Sequence, residues 1–282
     1  MMPRLLVCVV CVFGLGTRVL GAQAPRVQPP AQAQMSDSLV VQVDTLFKEG
    51  KQRESLEFLR GHLGHAPQDY AAWVLAARAA LVLGYADPDL DSAKAWLHRS
   101  ITYGEGALAL DSAGEQGRYV TLAAKGQLAL VSGPVESAHL GREVEREALA
   151  LLAIDSLHAG AHNALGRLYF EVARLSRFER FVARGWLGGD LIKHATWKAA
   201  EFHLRRAVEL EPDRNFYYLD LGALLLARGR LDEARSELQQ MLKVPLETPQ
   251  QEGFRKEARA LLQEIDRRTG HDSTGSPGGG IP

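Results

Sequence analysis

The chain has 282 residues, 46% of them hydrophobic and 24% charged, a globular composition that excludes a disordered or collagen-like polymer. Its formal charge of −1 excludes nucleic-acid binding by bulk electrostatics, so no nucleic-acid partner is expected. Period-two runs of Val, Ile and Thr do not occur beyond about residue 40, whereas Ala and Leu dominate, which predicts an all-α protein.

Residues 1–24 read as an export signal. Arg4 precedes the apolar run Leu5 to Gly16, and Ala22-Gln23-Ala24 supplies a small-x-small cleavage site. The run is short for a bilayer span, which takes about 20 apolar residues. The rival readings are an uncleaved membrane anchor and an organellar transit peptide. The expected location is therefore exported, periplasmic or secreted. Both cysteines, Cys8 and Cys11, lie inside this segment, so the mature chain has no disulfide, thiolate metal site or cysteine nucleophile. Loss of Arg4 and Arg18 takes its charge to −3. Residues 25–36 form a Pro- and Gln-rich disordered spacer, and 270–282 a Gly-rich disordered tail.

Between them, residues 37–269 read as a tetratricopeptide-like helical repeat domain. The expected architecture is a right-handed superhelix of about four helix pairs with a C-terminal capping helix. The clearest unit spans 217–245. There Tyr218, Leu221, Gly222, Leu225, Gly229, Leu231, Ala234, Leu238 and Met241 recur at repeat spacing. Large residues at i, i+3 and i+7 give the first helix its packing face. Gly222 admits the second helix, Gly229 ends the first, and Ala234 marks the closest approach. The unit before it has Leu165, Gly166 and Tyr169 in one helix and Ala200, Leu204, Ala207 and Pro212 in the other. About twenty extra residues separate its halves. Earlier units are weaker: Leu46, Gly50, Leu56, Leu59 and Pro67 come first. Trp73, Ala77, Ala80 and Gly84 follow behind an Asp69 cap, and a third pair spans 118–156. Gly104-Glu105-Gly106 reads as a helix break.

The last helix begins with Thr248 and Gln251 in a capping box and Pro249 at its first position. Its apolar stripe is Phe254, Ala258, Leu261, Leu262 and Ile265, and Gly270 stops it. Such a one-faced helix covers the exposed end of a solenoid.

In the insertion, Leu168, Val172, Leu175, Phe178, Val182 and Trp186 keep helical spacing. This predicts one helix from Ala161 to Trp186, about 39 Å long at 1.5 Å per residue. Its aromatic stripe is expected to pack as core. Its other face carries Arg174, Arg177, Arg180 and Arg184, which suits an acidic partner or a membrane surface.

The segments 166–190, 198–213 and 244–265 together resemble the tetratricopeptide-like family of the regulators of microtubule dynamics and their bacterial relatives. The interrupted repeat and the terminal cap carry the likeness. The resemblance implies a helical repeat scaffold without enzymatic activity. Eukaryotic members are associated with microtubules and organelle membranes, and no binding motif of that kind maps onto residues here.

Repeat arrays offer a concave wall of first helices. Asn163, Arg167, Phe170, Glu171 and Tyr119 are the candidate partner-binding groove, with Tyr70, Val74 and Ala123 by the same offset. Such a wall suits a protein or peptide partner. No catalytic, cofactor or metal site is expected. His62 with His65, and His158 with His162, have ligand-like spacing, but the second pair falls across a turn and both read as surface histidines. The carboxylates Glu143, Glu145 and Glu147 sit among arginines on a solvated face. The expected function is an exported, monomeric, non-enzymatic scaffold for protein–protein interaction. The alternatives are a periplasmic component carrying a small apolar ligand and a peripheral membrane adaptor using residues 174–187. A solvent-open apolar cavity near Trp73, Trp96, Phe170 or Trp197 would favour the ligand carrier, and a shallow polar groove the scaffold.

Overall fold

The computed structural model describes residues 37–187, 189–246 and 248–270; the side chains of 37–39, 182–184, 186, 187 and 189 are outside that description. The expected signal, spacer and nearly all of the tail therefore lie outside the described residues. Within them the chain is helical throughout and no strand occurs.

Five antiparallel pairs follow one another where the sequence delineates about four. They are α1 (Asp37–Lys48) with α2 (Gln52–His65), α3 (Tyr70–Ala86) with α4 (Leu90–Leu110), and α5 (Glu115–Val131) with α6 (Pro134–Ile154). Then come α7 (Ala159–Ala173) with α10 (Trp197–Leu210) and α11 (Asn215–Ala227) with α12 (Leu231–Lys243). Between the members of the fourth pair lie α8 (Arg177–Leu187) and α9 (Gly189–His194). A 3₁₀ turn (Pro249–Gln251) leads into the terminal α13 (Glu252–Thr269). The extra pair arises because α1 is a full helix, turned into α2 at Gly50, whose φ is +77°.

First helices form an inner wall and second helices an outer one. α3 contacts α5, α5 contacts α7, α7 contacts α11, and α11 contacts α13. α11 is buried on nearly every side, with Phe216, Tyr217, Leu219, Leu221, Leu224 and Leu225 in the core. Outer helices such as α12 bury one stripe only: Ala234, Leu238 and Met241. Glycine makes the close approaches. A Cβ on Gly166 would lie 2.6 Å from the Leu204 side chain and 2.9 Å from its backbone N, and one on Gly222 would lie 2.7 Å from Leu238. Burial of each large side chain contributes about 1.5–3 kcal/mol.

Two local expectations fail. Gly104-Glu105-Gly106 does not break α4, which runs unbroken through it. Those glycines are needed for packing instead: a Cβ on Gly106 would meet the Trp73 ring at 2.5 Å, and one on Gly104 would collide with Thr121. Thr248 and Gln251 form no capping box. Thr248 precedes the 3₁₀ turn with no side-chain cap bond, and Gln251 Oε1 instead accepts from Asn215 Nδ2 at 3.1 Å. Tertiary pairing to α11 wins over the local bond. Pro249 does open that turn, and Gly270 ends α13 in the left-handed region at φ +69°.

The turn before α13 also meets the beginning of the array. Gln250 Nε2 donates to Gly50 O at 3.0 Å, and the Gln250 and Gln52 amides bond each other at 2.6 and 3.1 Å. The superhelix therefore closes, its last element seated against its first pair.

Candidate functional site

The insertion does not prolong α7. Ser176 breaks the expected single helix: its Oγ accepts from Glu179 N at 3.2 Å, and Glu179 Oε2 accepts from Ser176 N at 2.7 Å. This reciprocal pair starts a new helix, and α8 folds across α6. The Ser176 backbone N–H, and then the Ser176 hydroxyl, hold the Glu179 carboxyl below its ordinary range. Arg180 Nη2 donates to Ile192 O at 2.8 Å and to Ala195 O at 3.2 Å, which ties α8 to the carbonyl end of α9. Leu191 and Ala195 anchor the return in the core.

Beneath α8 lies a solvent-open cleft of about 540 Å³ between α5, α6 and α7. Leu122, Val144, Leu168 and Leu175 supply its apolar wall. It exists because facing positions are small: Ala123, Gly126, Ala138 and Gly141 leave the space unfilled. Arg167, Glu171 and Glu179 are its charged members, and Phe178 belongs to its rim. None of Trp73, Trp96, Phe170 or Trp197 lines it.

The candidate groove residues are placed differently from an open wall. Asn163 is fully buried, and Arg167, Phe170 and Tyr119 nearly so. Asn163 Nδ2 and Arg167 Nη1 each donate to the carboxylate of Asp220 at 3.0 Å. Arg167 Nη2 also pairs with Glu171 at 2.7 Å. Burial pushes the Asp220 carboxyl up, and the Arg167 guanidinium opposes that shift. Phe170 packs on Trp197 with centroids 5.8 Å apart, under Arg167 and Arg174. Tyr119 packs on His158 at 4.8 Å. Of the five, Arg167 and Glu171 reach the cleft, as does Ala123. Val74 is buried, and Tyr70 accepts from Gly117 N at 2.8 Å through its hydroxyl.

The basic face divides similarly. Arg174 is half-exposed and pairs with Glu171 at 3.2 Å. Arg177 is exposed, Arg180 bonds α9, and the Arg184 side chain lies outside the described residues. The stripe divides: Val172 is core, whereas Phe178, and Phe181 beside it, are each 74% exposed. Because the helix turns at Ser176, these rings leave the face that α7 buries.

The histidines hold helices together. His62 Nε2 lies 2.8 Å from the Asp69 carboxylate, which also caps α3 by accepting from Ala72 N at 3.1 Å. His158 Nδ1 accepts from Ala161 N at 3.1 Å. His162 and His203 meet Nδ1 to Nδ1 at 2.8 Å between α7 and α10. Burial, then His162, holds His203 down to about 4. Glu145 accepts from Tyr169 Oη at 3.0 Å and His194 Nδ1 at 2.9 Å; burial, then this carboxylate, raises the Tyr169 phenol. Among the described residues no group of three or more His, Cys, Asp or Glu is placed to hold a metal. A second hollow, over the turns between pairs, is lined by Tyr70, Asp111, Glu115, Asp155, His158 and Glu211.

The cleft escaped sequence reasoning. Its one signal was the run of small residues on α5 and α6, which reads equally as tight helix packing. The buried acid had a plainer signal, a lone Asp220 within an apolar helix.

Antiparallel helix pairs, a glycine-mediated close approach in successive pairs and a one-faced terminal helix define a tetratricopeptide-like repeat scaffold. One solved structure shares the fold. A thermophilic tetratricopeptide-repeat protein of Thermus thermophilus is similar at 21% identity and a TM-score of 0.56, over 80% of this chain and 96% of that one. The assembly chaperone of RpL4 (Acl4), residues 1–338, aligns at 17% identity and a TM-score of 0.33, over 85% and 90% of the two chains. No curated protein matches the sequence. The family model described as regulator of microtubule dynamics protein 1-3 matches residues 39–266, and the chain belongs to that family.

Proposed function

We propose that the protein is an exported, non-enzymatic scaffold that holds another polypeptide by seating its apolar side chains in the cleft under α8. The cleft carries this reading. It is open and apolar, with Arg167, Glu171 and Glu179 among its lining residues to orient a partner, which is how helical grooves take amphipathic segments. The fully buried first-helix positions, Asn163 above all, are not free to bind, so recognition moves from the concave wall to this cleft. Export rests on the pattern of residues 1–24, and amino-terminal sequencing of the secreted or periplasmic form, with a new terminus expected just after Ala24, tests it.

Gly126 supplies the test of the cleft. It lines the cleft, and a Cβ there meets nothing within 4 Å. Gly126→Leu should fill the cleft while leaving the fold intact. With a photo-crosslinker at half-buried Leu168, the native chain should capture a polypeptide and the Gly126→Leu chain should not. Equal capture by both would overturn the reading.

A second reading, a carrier of a small apolar molecule, is favoured by one observation. A mostly apolar space of about 540 Å³ falls in the range of small-ligand sites, roughly 300–1,000 Å³. Native mass spectrometry separates the two: a small adduct absent from Gly126→Leu supports the carrier, and a crosslinked polypeptide supports the scaffold.

A further inference from the structure

Beyond Phe178, which it shares with the rim of the cleft, the α8 helix holds an apolar surface that the proposed function does not use. Phe178 and Phe181, three residues apart and so on adjoining positions of one helical face, are each 74% exposed. Gly185 continues the face: it is exposed, and a Cβ there would meet nothing within 4 Å. Pro134, at the start of α6, lines the same cleft as Phe178, and its neighbour Val135 is 61% exposed. Burying aromatic rings is among the strongest apolar gains a side chain offers. Leaving two of them in water on one short helix is a cost the fold does not recover by packing.

Charge says what covers this face. The stretch from 171 to 198 has the cations Arg174, Arg177, Arg180, Arg184, Lys193 and Lys198 against the carboxylates Glu171, Glu179 and Asp190, with Glu171 paired to Arg174. Glu179 is committed to the start of α8, where it accepts from Ser176 N. Arg177, exposed, sits one position before Phe178. Lys193 is also exposed, its partner Asp190 likewise. Exposed aromatic rings beside a net positive flank on a helix that lies along the protein surface match an anionic lipid interface. The rings enter the headgroup boundary and the cations meet the negative surface. A protein partner would need a matching acidic and apolar groove.

From this we infer that α8 is a membrane-surface helix, which docks the repeat array onto anionic lipid through Phe178 and Phe181 with Arg177 as its electrostatic contact. The docking differs from the cleft's proposed role, and one can fail without the other.

The test uses the full chain with vesicles of phosphatidylcholine alone and of phosphatidylcholine with phosphatidylserine. Any contribution from the apolar segment at Leu5 to Gly16 is common to all variants, so the readout is the preference for anionic vesicles. The native chain should show that preference, and raised salt should weaken it. Arg177→Glu removes one cation and adds one anion, so at about 1 kcal/mol per charge near such a surface it should reduce the preference about thirtyfold. A Glu at the first position of α8 suits the helix dipole, so the fold is kept. The double change Phe178→Ser with Phe181→Ser should lower binding to the anionic vesicles about tenfold or more. Hydrogen exchange on the vesicle-bound native chain should show protection across 177–187. An undiminished preference in both variants overturns the inference. So does unchanged exchange across α8 on vesicles, or protection of α8 only by an acidic amphipathic peptide in the absence of lipid.

Discussion

Tyr85, at the end of α3, stacks on Phe254, in the first turn of α13, with ring centroids 5.6 Å apart and planes 16° from parallel. The pair joins the second helix pair to the terminal helix across most of the chain. Phe216 of α11 packs on the same Phe254 at 6.2 Å. Phe254 is thus the point at which the cap is gripped from both ends of the array, and it is 1% exposed. A terminal helix here does more than shield a last repeat: it holds the superhelix shut.

Phe254→Ala should therefore cost about 3–5 kcal/mol, the usual range for deleting a fully buried aromatic ring. Its particular signature is in distribution. Hydrogen exchange should quicken in α1 and α2 as well as in α13, because Gln250 and Gln52 lose the alignment that their amide bonds need. Exchange that rises in α13 alone would show that the closure contributes nothing to the first pair.

Glu257 offers a pH test of the same region. Its Oε1 is buried and meets no hydrogen-bond partner within the described residues. Burial raises its carboxyl to about 8; Arg167 opposes the shift and Asp220 adds to it. The unfolded chain ionises this group near its ordinary value of 4.5, so between pH 4.5 and about 8 the folded state holds a proton that the unfolded state has released. Stability from this group is then full below that lower value and declines as pH rises towards the upper one. Glu257→Gln keeps the shape and never ionises. It should match the native melting temperature at a pH below 4.5 and exceed it by a margin that widens up to about 8. A margin independent of pH would place the Glu257 carboxyl in water.

Much of the architecture was legible because it repeats. Gly222, Gly229 and Ala234 fall at spacings that only a helical hairpin satisfies, and the structure puts each where that spacing requires. What was hidden depends on distant partners. Asn163 and Arg167 read as groove residues until Asp220, on another pair, takes both. Nothing local pairs Gln250 with Gln52, 198 positions away. The break at Ser176 was locally encoded: Ser176 and Glu179 form the Ser-x-x-Glu signature. The unbroken apolar spacing from Leu168 to Trp186 outweighed it, because a periodic face fits one long helix and two shorter ones alike. The cleft is hardest to read, since it is made of what small side chains fail to fill on three helices at once.

The glycine contacts allow the repeat argument to be tested by a matched pair of substitutions. Both Gly166 and Gly61 lie inside helices, where exchange for Ala should add about 0.5–1 kcal/mol by reducing the freedom of the unfolded chain. At Gly61 nothing lies within 4 Å of the added methyl, so Gly61→Ala should show that gain in full. At Gly166 the methyl would meet the Leu204 side chain at 2.6 Å and the Leu204 backbone N at 2.9 Å. A side chain can rotate away, but the backbone of α10 can yield only by moving the whole helix from α7. Overpacking of this kind costs about 1–3 kcal/mol, more than the entropic gain, so Gly166→Ala should destabilise. Chemical denaturation of the two variants reads opposite signs for one chemical change. If both stabilise, α7 and α10 are not in the backbone contact that defines the repeat, and Gly166 is a packing convenience rather than a requirement.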